Sequence, residues 1–328
     1  MSECHNFLFE GLPVRGVLVR LTDAWVEILR RHRTGTAQAY PLPVQNLLGE
    51  MVVAATLMHS NTKFNGSLVF QIVGDGPVKL AVVEVQPDLG LRATAVITTE
   101  VADGASLSML VNANNQGKCA ITLEPKGDTP GQKSYQGVVS LSDHVNRKLE
   151  HLSDMLTHYM LQSEQLDTTL VLAADDKVAA GLLIQRLPSA GVGNLAGRQE
   201  RSSREDQSDI DQHYQRIAML ASSLRREELL ALDAETILRR LFWQEKLLRL
   251  ESMAGDATPH FSCTCSRERV RKTILGLGAD EAQSIVAERG EIEVGCDFCG
   301  AQYRFDPIDV TQIFSQTDAF PPSSTAVQ

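Results

Sequence analysis

The chain has 328 residues, 43% hydrophobic and 22% charged, which are ordinary values for a globular protein of one large domain or two to three smaller ones. Its 31 basic and 41 acidic residues leave a formal charge of −10, which argues against a broad phosphate-binding surface built on clustered Lys and Arg. The N-terminus lacks a basic segment leading into a long apolar run, and the longest apolar stretch, 51–58, is far short of a bilayer span; a cytoplasmic protein with no membrane and no nucleic-acid partner is expected.

Residues 6–178 mix strand and helix signals. Val17, Val19 and Leu21 alternate as in a strand, and Trp25, Ile28 and Leu29 follow at helical spacing. Val44, Leu47, Leu48, Met51, Val52, Ala55 and Met58 predict an amphipathic helix buried on one side. The apolar runs 68–73 and 78–85 flank Gly74-Asp75-Gly76-Pro77, which reads as a hairpin whose glycines supply positive φ. No helix follows this turn, so it is not read as a phosphate loop. A second strand pair is expected at 119–124 and 135–141. The sum is an α+β fold, an antiparallel sheet with packed helices.

Residues 189–211 hold no aromatic side chain and only three aliphatic ones larger than Ala, too little apolar surface to offset ordering entropy, so a flexible segment is expected there. Two charged helices follow, 214–231 with Ile217, Leu220 and Leu224 on one face, and 234–250 after Asp233 as N-cap. In the last unit, 266–275 and 279–289 read as helices stopped by glycines, and 291–294 and 302–305 as strands flanking a cysteine pair. The domains expected are an α+β core at 1–178, a partly disordered helical linker at 179–258, a small metal-binding α+β domain at 259–310 and a disordered tail at 311–328.

Four of the six cysteines carry the strongest signal. Cys263-Thr-Cys265 and Cys296-Asp-Phe-Cys299, separated by residues 266–295, provide four thiolates in two close pairs, the set a tetrahedral Zn²⁺ requires. A closed structural clip is the plain reading, since metal binding in such modules supplies roughly 10–16 kcal/mol of folding free energy. Two features point further. The site formally carries −2, leaving electron-rich sulfurs open to oxidants, and each cysteine has a close neighbour for a short-loop disulfide.

Other residues are weighed against their bland roles. Cys119 is expected to be a buried, inert thiol and Cys4 an exposed bystander; His59 and His158 are expected to pack in helices. His260 is a candidate outer-sphere partner of the cysteines. Ser140, Asp143 and His144 make no triad by adjacency, and Asp143 reads as a helix cap. Arg267, Arg269, Arg271 and Lys272 are expected to offset thiolate charge.

HFSCTCSRERV followed by GEIEVGCDFCGAQYRFDPIDV closely resembles the redox-regulated 33 kDa chaperonin family. Further matching segments are QIVGDGPVKLAVVEV (71–85), YQGVVSL (135–141), YMLQSEQLDT (159–168) and ETILRRLFWQE (235–245), so the resemblance covers roughly residues 6–310. Met160 and Asp167 depart from the family's usual Phe and Pro. The resemblance implies an ATP-independent holdase with no enzymatic activity, inactive while reduced with one Zn²⁺ on Cys263, Cys265, Cys296 and Cys299. Oxidation would pair Cys263 with Cys265 and Cys296 with Cys299, release zinc, unfold the C-terminal unit and loosen the linker. Apolar surface then captures unfolded client proteins, the core domain carries client binding, and the oxidised form is a homodimer. Two other classes stay open on the residues alone, a zinc-ribbon nucleic-acid-binding or regulatory protein with a structural zinc, and a thiol oxidoreductase. The latter needs CxxC at a helix start, whereas Cys296 and Cys299 join two strands.

Overall fold

The structure, a computed structural model, describes residues 1–36, 39–62, 64–127, 134–188, 204–250 and 257–315. It divides into one compact unit of Met1–Arg30 with Ala39–Ser262 and a second of Arg31–Gln38 with Cys263–Gln328. The α+β class holds, but the first unit contains two sheets rather than one.

The first sheet has the order β10-β1-β2-β9-β8, formed by β1 (Glu3–Phe9), β2 (Val14–Leu21), β8 (Thr168–Ala174), β9 (Ala179–Arg186) and β10 (Leu247–Leu250), all antiparallel. The second runs β11-β5-β4-β3-β6-β7, formed by β3 (Gly66–Val73), β4 (Val78–Val85), β5 (Gly90–Ile97), β6 (Lys118–Pro125), β7 (Tyr135–Val139) and β11 (His260–Phe261). Its one parallel pairing sets β11 beside β5.

Of the helices before residue 163, α1 (Asp23–Thr36) follows β2, α3 (Leu107–Val111) is a single short turn and α4 (Leu152–Gln162) precedes β8. The helix α2 (Leu42–Asn61) packs on β2, β8 and β9 of one sheet and on β3, β4 and β5 of the other. It is therefore buried almost all round, from Pro43 to His59, and the expected one-sided stripe is wrong. The seven periodic positions are apolar, but so are Val53, Ala54 and Leu57 between them, and two sheets need both faces.

The hairpin of β3 and β4 forms in register Leu68↔Val85 to Val73↔Leu80. Its glycines serve a different purpose from the one expected. Neither has positive φ; a Cβ at Gly74 would meet the Val78 carbonyl oxygen at 2.0 Å, and one at Gly76 the Leu110 oxygen at 2.6 Å. Close backbone approach, not left-handed conformation, demands them.

The helices α5 (Arg204–Ser222), α6 (Arg226–Ala231) and α7 (Ala234–Leu241) cover the other face of the first sheet. There Tyr214, Ile217, Leu229, Ile237, Leu238 and Phe242 pack on Phe7, Phe9, Leu18, Leu182 and Ile184. Phe242 meets Phe9 edge-on, with centroids 5.0 Å apart. Asp233 caps α7 as expected, accepting from the Thr236 N–H at 2.8 Å. The helix expected over 234–250 nevertheless ends at Leu241, and the chain returns as β10 along β1.

Further boundaries differ from the sequence reading, and the single helix expected over 214–231 is broken at 223–225 into α5 and α6. The strand β9, placed in the linker, lies inside the first sheet and is buried on both faces, so its continuous apolar run carries no alternation. Of the segment 189–211, residues 189–203 lie outside the described residues, and from Arg204 onward the chain is helical. The tail expected from 311 begins inside a helix, α10 (Pro307–Ser315), with Val310 and Ile313 buried; residues 316–328 lie outside the described residues.

In the second unit, α8 (Arg267–Leu277) passes through Gly276 and ends at Gly278, α9 (Ala279–Arg289) ends at Gly290, and β12 (Ile292–Gly295) pairs antiparallel with β13 (Gln302–Phe305). Among the described residues its hydrophobic core is Ile274, Ala282, Ile292, Phe305, Val310 and Ile313.

Candidate metal centre

The turn between β12 and β13 carries Cys296 and Cys299. Gly300, at φ +72°, donates its N–H to the Cys296 carbonyl oxygen at 2.8 Å, and the Cys296 N–H donates to Ala301 at 2.9 Å. This tight turn aims the N–H groups of Cys299 and Phe298 at the Cys296 sulfur and that of Ala301 at the Cys299 sulfur. Cys263 and Cys265 lie just before α8, whose cap Ser266 accepts from the Arg269 N–H at 3.2 Å. A side-chain bond from Arg269 to Thr264 ties down the residue between the two cysteines.

All four sulfurs lie within 4.8 Å of one another, with Cys263 and Cys296 at 3.7 Å and Cys265 and Cys299 at 3.3 Å. A tetrahedron with Zn–S bonds of about 2.3 Å has sulfurs about 3.8 Å apart, so the spacing suits such an ion. The donor set is sulfur alone, which favours a soft, tetrahedral metal over calcium or magnesium. The N–H groups directed at the sulfurs would share the negative charge of bound thiolates.

The thiols are unequal. Burial pushes the Cys265 thiol up, but the hydrogen bonds it receives, led by one from the Tyr303 hydroxyl at 3.1 Å, bring it down to about 7. Burial raises Cys296 and, more strongly, Cys299. Tyr303, pushed up to about 12 chiefly by its bond to Cys265, is a residue sequence reasoning missed. Strand alternation offered the signal, since Tyr303 shares a face of β13 with the buried Phe305.

The basic residues of α8 are engaged elsewhere than expected. Arg267 donates to the Arg304 carbonyl and to Asp309 at 2.6 Å and lies 4.2 Å over the Phe305 ring, and Arg271 pairs with Glu268. The His260 ring is exposed and bonded through Nδ1 to the Thr258 carbonyl at 3.0 Å, a backbone contact rather than a sulfur contact. Cys119 is buried in β6, with its thiol raised by burial. Cys4 is not the exposed thiol expected: it sits in β1 against the core, 3.3 Å from Ser60 Oγ, and burial lifts it to about 11.

No triad forms around Ser140. Its hydroxyl donates to the Ser142 carbonyl, and His144 stacks on His158. Asp143 caps the turn to Arg147 rather than a helix, because the chain bends back to pair Ser142 with Lys148. His59 packs as expected, with Nε2 2.9 Å from the Gly66 oxygen.

The family model described as Hsp33 protein matches residues 2–306. The chain belongs to the Hsp33 family. A 33 kDa chaperonin of Chromobacterium violaceum is 42% identical over 313 residues, 95% of this chain and 94% of the relative. One from Shewanella woodyi is 39% identical over 315 residues, 96% of each chain. The crystal structure of the Hsp33 homologue of Thermotoga maritima shares the fold at a TM-score of 0.71 and 18% identity, covering 98% of this chain and 100% of that one. As a member of the Hsp33 family this chain is a chaperone and not an enzyme, so its cysteine cluster belongs to a protein that binds unfolded clients.

Proposed function

We propose that the protein is a redox-regulated, ATP-independent holdase of the cytoplasm, held inactive by zinc on Cys263, Cys265, Cys296 and Cys299. The observation that carries this reading is the convergence of four sulfurs within 4.8 Å in a unit whose hydrophobic core, among the described residues, is a cluster of six buried side chains. When bound, zinc supplies the divalent charge that keeps four thiolates together, and with them the folding free energy so small a core lacks.

Oxidation acts on the thiols in pairs. Within each pair, Cys263 with Cys265 and Cys296 with Cys299, the two thiolates give two electrons to one peroxide, which takes two protons from solvent and leaves as two waters while one S–S bond forms. Sulfur contacts at 3.3 and 3.7 Å run between the two pairs, so bonds within each pair withdraw what joins them. Loss of the second unit's order then loosens α5, α6 and α7. Beneath them lies apolar surface that includes Phe7, Phe9, Leu18 and Leu182, suited to capture unfolding proteins and to form a homodimer. Polar ties make this layer separable: Arg20 donates to the Leu230 and Leu232 carbonyls, and Arg186 pairs with Asp211 at 2.5 Å. A zinc-ribbon reading directed at nucleic acid is less well supported, because Arg267 and Arg271 are already paired with Asp309 and Glu268.

The test is to treat reduced protein with peroxide at mildly raised temperature, follow zinc with a chromogenic chelator, map disulfides by mass spectrometry and measure light scattering of an unfolding client. The expected result is about one zinc per chain released, disulfides within each pair and suppressed scattering. Disulfides joining Cys263 to Cys296, or zinc release without suppression, would overturn the switch.

A further inference from the structure

At the C-terminal end of α2 lies a cavity of about 130 Å³, walled by both sheets of the first unit and by α4. Met58, Leu68, Leu123 and Leu166 give it apolar sides, and Arg15 and Glu164 supply its two charges. Arg15 projects from β2 and is half-buried. Its partners are neutral: Nε and Nη2 donate to Gln185 Oε1 at 3.1 and 2.5 Å, and Nη1 donates to the Asn61 carbonyl oxygen at 2.9 Å. A guanidinium has five N–H donors, so two remain without a partner among the described residues. Among the described residues no carboxylate forms an ion pair with it, and its burial is met by dipoles alone.

The cation is also held in place. Gln185, 1% exposed, accepts from Asn61 Nδ2 at 2.9 Å and donates to Thr168 Oγ1 at 3.0 Å. Arg15 is thereby oriented before any ligand arrives, which lowers the ordering cost of binding. At the rim, Glu164 is exposed and accepts from the Tyr159 hydroxyl at 2.9 Å and the Tyr135 hydroxyl at 3.2 Å. Its needs are met, and its charge repels a second anion.

We propose that this cavity binds a small apolar monocarboxylate. The carboxylate accepts the two spare N–H groups of Arg15, and the chain lies against Met58 and Leu166. A benzene-sized group fills a cavity of about 150 Å³, so the ligand has about six to eight non-hydrogen atoms. Glu164 selects against dicarboxylates of equal length.

The test titrates the full chain, reduced and zinc-loaded, with hexanoate, adipate and hexylammonium by calorimetry and thermal unfolding. Saturable hexanoate binding is expected, with adipate weaker by about tenfold, the effect of one like charge at a protein surface, and no hexylammonium binding. Arg15→Gln should weaken hexanoate by about tenfold or more. Because Arg15 also ties β2 to α2, the exposed Glu164→Gln provides the second arm: the gap between adipate and hexanoate should close. Absence of saturable hexanoate binding, equal binding of hexylammonium, or adipate binding unmoved by Glu164→Gln would each overturn the proposal.

Discussion

A hydroxyl beside a thiolate distinguishes one cysteine of the cluster from the rest. Tyr303 donates to Cys265, and that bond helps bring the thiol to about 7 while burial raises Cys296 and Cys299. Outer partners of this kind typically change metal affinity by about 10–100-fold. Tyr303→Phe keeps the ring on β13 and removes only the donor, so zinc affinity in a chelator competition should fall by about tenfold. An unchanged affinity would show the hydroxyl to be incidental. The cysteines themselves were legible in the sequence because their spacing is local. The tyrosine was not, since its hydroxyl reaches Cys265 across 38 residues.

Between elements, the helical layer meets the core helix through a charged contact. Arg226 of α6 lies 3.9 Å from Glu50 of α2 and also donates to the Ala174 carbonyl. Burial outweighs the pull of Arg226 and lifts the Glu50 carboxyl from its ordinary 4.5 to about 7. The folded chain therefore holds this proton more tightly than the unfolded one. The stabilisation is fully present below about pH 4.5 and is lost as pH rises through about 7. Glu50→Gln, which cannot ionise, should raise Tm at pH 8 by a few degrees and leave it unchanged near pH 4.5, measured by calorimetry. A lower Tm at pH 8 would mean that the ion pair, not the burial, dominates. Nothing local marks Glu50 in the sequence, because its partner lies 176 positions away.

For the whole molecule, the two compact units differ in what holds them. The first has two sheets around a buried helix, with Phe70, Leu48 and Trp25 among its fully buried side chains. The second has, among the described residues, a cluster of six buried hydrophobic side chains beside its four cysteines. Stripping the metal from reduced protein should remove hydrogen-exchange protection from α8, α9, β12 and β13 and leave that of α2, β3 and β9 intact. Protection retained in the second unit after complete zinc removal would show that its core suffices without metal.

The sequence alone determined the two cysteine pairs, the β3–β4 hairpin and the cap of α7, because each rests on residues a few positions apart, and it determined the family through motifs spread along the chain. Tertiary structure decided the rest. Periodicity reports how a segment is patterned but not how many neighbours it meets, so α2 became a helix buried all round and β9 a strand buried on both faces. It also decided where Leu247–Leu250 belong, since so short a strand forms only when β1 offers its edge.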